Sequence, residues 1–149
     1  MNHRFIKFTK LVLDIMFFGG VVIFISLPFL LKILGKYYSN VITDYYLLMI
    51  IVFGVSGIFG IIIISQLRQM MKTVIEESCF VNENVKSLNI MMAASFCIFI
   101  MFIIKLIILP TPATGIIALV FFIAALFSKV LAYVFAEAVR YKEENDFTI

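Results

Sequence analysis

The sequence predicts an all-α polytopic membrane protein. It reads as one domain, residues 1–149, with four transmembrane helices in a bundle and both termini cytoplasmic. Three observations carry that prediction. Hydrophobic residues make up 64% of the chain and charged residues 14%, against roughly 45–50% and 25% in soluble domains. The mean hydropathy of +1.15 is more than a water-soluble globule of 149 residues can hide, and it excludes disorder as well. Finally, four apolar runs each reach the ~20 residues that a helix needs to cross ~30 Å of hydrocarbon.

The first run, about 11–34, is longer than a signal-peptide core and no small-residue cleavage site follows, so it is expected to be a retained span. Pro28 is expected to kink it or to loosen the bond to Phe24. The second, about 45–67, carries Gly54, Gly57 and Gly60 as an expected close-approach face. The third is about 88–109 and the fourth about 114–136. Ile, Val and Phe dominate these runs, but they do not alternate and they are too long for strands. Helices are also what lipid requires, since backbone groups there must bond internally.

Orientation follows from the connections. Arg4, Lys7 and Lys10 precede span one, Arg68, Lys72 and Lys86 flank the link between spans two and three, and Arg140 and Lys142 follow span four. The other side has Lys36, with Lys32 at its edge, on links of about 35–44 and 110–115. The positive-inside rule therefore predicts N-in and C-in. Nearly all the polar material is then cytoplasmic, and the outer loops are too short to hold a large ligand.

A cytoplasmic arm, about 67–82, continues span two. Leu67, Met70, Met71, Val74 and Ile75 recur at helical spacing opposite Arg68, Lys72, Glu76 and Glu77. Such a face lies on headgroups, packs on its own bundle, or presents Met70 and Met71 to a partner. Asn82 or Asn84 is the expected N-cap of the third helix. The tail, 137–149, extends span four, turns acidic at Glu143, Glu144 and Asp146, and ends apolar at Phe147. It frays in solvent or docks on a basic surface.

Within the spans, Lys129 and Asp14 form the candidate polar site. A Lys at mid-span costs about 2.5–3.5 kcal/mol. The 13 Leu, Ile, Val and Phe of span four, at about 0.3–0.6 kcal/mol each, offset it. Ala124, Ser128, Ala132 and Ala136, with Ala125, suggest a small-residue face that Lys129 borders, so Lys129 is expected to point into protein. Asp14 is expected to pair with Lys10 one turn away, with Lys129 as the other option. Lys32 and Lys105 are expected to snorkel to the outer interface.

Cys79 and Cys97 lie in unlike settings, so no disulfide is expected, and the one histidine, His3, excludes a His-based metal site. No cofactor or metal is expected. No Ser/His, paired-carboxylate or metal constellation occurs at one depth, so an enzyme is not expected. Direct nucleic-acid binding is not expected either, since the basic residues serve topology.

The layout resembles the YoaS-like bacterial membrane proteins, domain of unknown function 2975. Phe80 with Asn84 and Leu88, the Pro110 turn, and Val134-Phe135 through Glu143-Glu144-Asn145-Asp146-Phe147-Thr148-Ile149 carry the resemblance. Cys79 departs from it, standing where the family often has a turn residue. The resemblance implies four spans, the bacterial plasma membrane, and no established activity. It also implies a genomic neighbour of the Cro/repressor helix-turn-helix type. The expected function is therefore a regulatory or sensory membrane protein with a cytoplasmic partner such as that regulator. Its input is lipid state or a small hydrophobic compound. The alternatives are a small dimeric multidrug-type exporter, using Asp14, and a structural subunit or homo-oligomer packed through Gly and Ala faces.

In a cysteine-free background, Lys72→Cys and Lys142→Cys should label from the same face of sealed vesicles, and Lys36→Cys from the other. Labelling of positions 72 and 142 from opposite faces contradicts the four-span reading.

Overall fold

The structure, a computed structural model, describes residues 2–38 and 40–148, with side chains through Asp146. Helix α1 spans His3–Tyr37, the short α2 Asn40–Asp44, α3 Tyr46–Ile75, α4 Asn82–Ile108 and α5 Pro112–Thr148. There is no strand among the described residues. The four long helices are each long and apolar enough to cross a membrane. They run alternately up and down. Both chain ends and the α3–α4 loop therefore meet at one end, called here the terminal end, and α2 and the α4–α5 turn lie at the opposite end.

All four helices outrun their apolar cores. Asn2 starts α1 early, its Oδ1 accepting from the backbone N–H groups of Arg4 (3.1 Å) and Phe5 (3.3 Å). Helix α1 passes through Pro28 without ending. Thr111 begins α5 by the same logic as Asn2, its Oγ1 accepting from Thr114 N–H at 3.3 Å. Pro112 then occupies the first helical position, where no N–H is needed. Helix α3 carries the arm to Ile75 as one unbroken helix.

At its end Glu77 adopts a left-handed φ of 57°. Ser78 N–H bonds to Thr73 C=O (3.0 Å) and Glu77 N–H to Val74 C=O (3.1 Å). This is a Schellman stop built without the usual glycine.

Neither expected asparagine caps α4. Its N-cap is Val81, with no side-chain bond, and Asn82 is already helical. Asn84 is instead 2% exposed. Its Nδ2 donates to Thr73 Oγ1 (2.7 Å) and to Cys79 C=O (2.6 Å). Thr73 Oγ1 donates in turn to Met70 C=O at 2.6 Å. One buried amide thus closes the loop and ties the end of α3 to the start of α4. A cap would have satisfied one helix; this arrangement satisfies two elements at once.

The tightest packing is between α4 and α5. Their inward residues follow steps of four and three: Asn84, Leu88, Met91, Ser95, Ile98, Phe102 and Lys105 on α4, and Thr114, Ala118, Phe121, Ala125, Ser128, Ala132, Phe135 and Val139 on α5. A 3.5-residue period keeps a seam in register, drifting only ~20° per seven residues. The expected face at Ala124, Ser128, Ala132 and Ala136 steps by four throughout and drifts ~120° over three steps. Ala136 is accordingly exposed, Ala124 is only partly covered, and Ala125 is buried.

Helices pack in chain order. α1 lies on α3 and α2, α3 on α4, and α4 on α5, with no close backbone approach from α1 to α4 or α5. Gly35 lets α2 fold back, since a Cβ there would overlap Thr43 Oγ1 and crowd the Thr43 backbone. On α3 only Gly57 makes the expected close approach, against Phe24. A Cβ at Gly60 meets nothing, because Gly60 opens onto a cavity.

Asn84→Ala should lower stability by about 1–3 kcal/mol, the cost of stranding buried partners. Thermal unfolding in detergent checks it, and an unchanged midpoint would show that the lock contributes nothing.

Candidate functional site

At the terminal end the polar side chains on the spans find partners, and the pairs join neighbouring helices. Asp14, Phe17 and Phe18 share one face of α1, three and four residues apart. Arg68 reaches them from α3. Its Nε donates to Asp14 Oδ1 at 2.8 Å, and its guanidinium lies 4.5 Å from the Phe17 ring centre and 5.5 Å from that of Phe18. An arginine can pair and stack at once because its fork is planar. Asp14 therefore pairs with neither Lys10 nor Lys129. Lys10 lies on the same helix one turn nearer its end and stays exposed, whereas the packing of α1 on α3 brings Arg68 to the depth of Asp14.

Lys129 belongs to the other side of the molecule. It points into protein, as its small neighbours imply, and Nζ donates to Asn89 Oδ1 on α4 at 3.1 Å. Asn89 Nδ2 donates to Val85 C=O (3.1 Å), which turns its Oδ1 toward the lysine. The Tyr133 ring lies 4.9 Å from Nζ. Asp14 and Lys129 thus sit in two separate interfaces, α1–α3 and α4–α5, and form no common site. No three His, Cys, Asp or Glu side chains gather to hold a metal among the described residues.

The candidate partner-binding residues divide in two. Met70 and Met71 are half-buried, because α3 stays on the bundle and the Asn84 lock holds its end; Ile75 is exposed. The tail does not fray where it leaves the apolar run. It remains helical, Val139 is buried, and Phe135 packs edge-on against Phe80 of the loop at 5.3 Å. A shallow hollow of about 290 Å³ results. Phe80 and Val139 line it, Glu83, Glu143 and Asp146 supply negative charge, and Lys142 is the basic residue among its walls. Glu144 is exposed; the Phe147 side chain lies outside the described residues. Beside the hollow, Glu137 Oε2 accepts from Arg140 Nη2 at 2.8 Å. The charge of Glu137 holds the Arg140 pKa above its ordinary value.

A family profile described as "Protein of unknown function (DUF2975)" matches residues 9–149. The chain belongs to this family. The match takes in all four long helices and every pair described above. No curated protein and no solved structure matches the chain. Membership agrees with the resemblance carried by the Phe80–Leu88 segment and the tail. Those two stretches are what the fold brings together at the hollow.

Sequence reasoning missed Arg68, Asn84 and Asn89 as functional partners. Arg68 was legible in principle, being the first charge after an uncharged run and the mirror in depth of Asp14 on an antiparallel neighbour. Asn89 gave a weaker signal, an amide one turn inside a span.

A double-mutant cycle of Asp14→Asn and Arg68→Gln should give a coupling of about 1 kcal/mol, the upper range for a part-exposed pair. Unfolding midpoints in detergent measure it, and additive effects would show that the pair is incidental.

Proposed function

We propose that the chain is a regulatory or sensory protein of the bacterial plasma membrane, with both termini cytoplasmic, which holds a basic cytoplasmic partner at its terminal end. One observation carries the reading. The α3–α4 loop and the α5 extension form a fixed ledge beyond the apolar spans, with an apolar floor at Phe80 and Val139 and a rim at Glu83, Glu143 and Asp146. An acidic rim around an apolar floor suits a partner with basic residues flanking a hydrophobic anchor. The positive-inside count puts this ledge in the cytoplasm. The family resemblance, which implies a small helix-turn-helix regulator as neighbour, supplies a partner of that chemistry. DNA-binding proteins carry basic surface, and the ledge would compete for it.

The exporter alternative needs an acid free to exchange protons, and Asp14 is held by Arg68. Use of Ala faces between subunits is weakened because Ala118, Ala125, Ser128 and Ala132 of α5 are already buried within the chain.

Deleting 143–149, or combining Glu83→Lys with Asp146→Lys, should release a co-purifying regulator by at least tenfold while the unfolding midpoint stays within a few degrees. Unchanged co-purification in both variants argues against the ledge.

A further inference from the structure

The start of α1 is a surface that the fold leaves uncovered. Asp14 and Arg68 meet at 2.8 Å, so they share one level, and Arg68 is the first charge after the uncharged run of span two. That level marks the terminal edge of the apolar spans. Helix α1 continues past it to Arg4, a climb of about 15 Å at 1.5 Å per residue. Ile6 and Thr9 are half-covered there and Leu13 is buried, which turns the other side of the segment outward. Phe5 and Phe8 on that side are 66% and 61% exposed. Within the spans an exposed phenylalanine faces lipid tails; beyond them no hydrocarbon covers it. Arg4, Lys7 and Lys10 stand exposed beside the two rings. No acid precedes Asp14 in the chain, and none of the three bases is in an ion pair among the described residues.

The ledge has the opposite charge at a matching height. Thr73 stands about 8 Å above Arg68 along α3 and is bonded to Asn84, so Glu83 enters the ledge about 9 Å above the Asp14 level. Glu143 and Asp146 rise one and two turns beyond Val139 on α5. Lys10 to Arg4 thus cover about 6–15 Å above that level, and the ledge about 9–20 Å. Glu83, Glu143 and Asp146 make no ion pair among the described residues, and Phe80 and Val139 floor the hollow between them. A chain does not fill this hollow with its own α1. Helix α1 lies on α3 and α2, α5 lies on α4, and no close backbone approach joins α1 to α4 or α5. These two helices are the outer edges of the bundle. Copies in a bilayer share one orientation and one level, so the α5 edge of one meets the α1 edge of another with these heights in register.

We propose that the ledge of one copy receives the start of α1 from a second copy, with Phe5 and Phe8 on its apolar floor and the three bases on its acidic rim. The segment has the chemistry that the ledge selects, basic residues beside an apolar anchor. Two such contacts, related by a two-fold axis along the membrane normal, close a dimer. The inference rests on the ledge as a docking surface, as in the reading above, but needs no regulator. A regulator and a second copy exclude one another there.

The test uses the full chain, labelled with donor or acceptor fluorophore at Lys36→Cys in a cysteine-free background, in phosphatidylcholine vesicles without a regulator. Saturable energy transfer between copies is expected. Arg4→Glu, Lys7→Glu and Lys10→Glu together should weaken association at least tenfold, as should Glu83→Lys with Asp146→Lys. Mixing these two variants should restore it at least fivefold over either alone, because each altered surface then meets its complement. Phe5→Ser with Phe8→Ser, which keeps every charge that guides insertion, should weaken association at least fivefold and decides the matter where charge reversal disturbs insertion. No transfer between unaltered copies, full association in the Phe5/Phe8 variant, or no recovery on mixing two folded variants overturns the proposal. Association seen only with phosphatidylglycerol present assigns the bases to lipid headgroups and overturns it too. Retained co-purification of a regulator with no transfer between copies removes this proposal and leaves the reading above standing.

Discussion

Polar groups that enter hydrocarbon must be answered by the protein itself, and this constraint organises the molecule. Lipid offers no hydrogen bonds, so several polar side chains on the spans recruit a partner from a neighbouring helix. Asp14 takes Arg68 across α1–α3. Asn84 takes Thr73 across α3–α4. Lys129 takes Asn89 and Lys105 takes Thr114 across α4–α5. Each junction between consecutive long helices therefore carries at least one polar tie. The ties of Asp14, Asn84 and Lys105 sit near the ends of the spans, where a polar group costs least to insert, and that of Lys129 lies deeper. The apolar middle is left to packing of Val52, Ile98, Phe102 and Ala118.

Packing is uneven, and the unevenness has consequences. Helices α4 and α5 share a seven-residue seam of small and large residues, so their backbones approach closely over their whole common length. Helix α1 has no such seam and buries only Leu13, Leu31 and Gly35. It leans on α3 alone among the long helices, anchored at one end by Asp14–Arg68 and at the other by α2. Between these anchors the bundle is open, and the cavities lie there.

The two ends then differ in kind. The terminal end is a ledge of loop and helix extension, rigid through Asn84 and Phe80–Phe135, with acid groups outward. The opposite end is short and basic, with Lys105 turned inward. Between them, Asp14 and Arg68 couple α1 to α3 directly.

Composition and run length determined the fold class and the number of helices able to span, because insertion into lipid is governed by summed apolar transfer, which is additive along the chain. The same local logic foresaw that α3 and α5 continue as helices past their apolar runs, from the helical spacing of Met70 and Met71 and the polar pattern after Ala136. It failed wherever a side chain chose between local and distant partners. Asp14 had Lys10 one turn away and took Arg68; Asn84 stood where a cap belongs and became a buried lock; Lys105 stood where lysines snorkel and turned to Thr114. Ala124 and Ala136 had the spacing of a packed face, and Ala125 was buried instead. Those choices depend on which helix lies alongside and at what rotation. Nothing local encodes either, since both arise only when whole helices settle against one another.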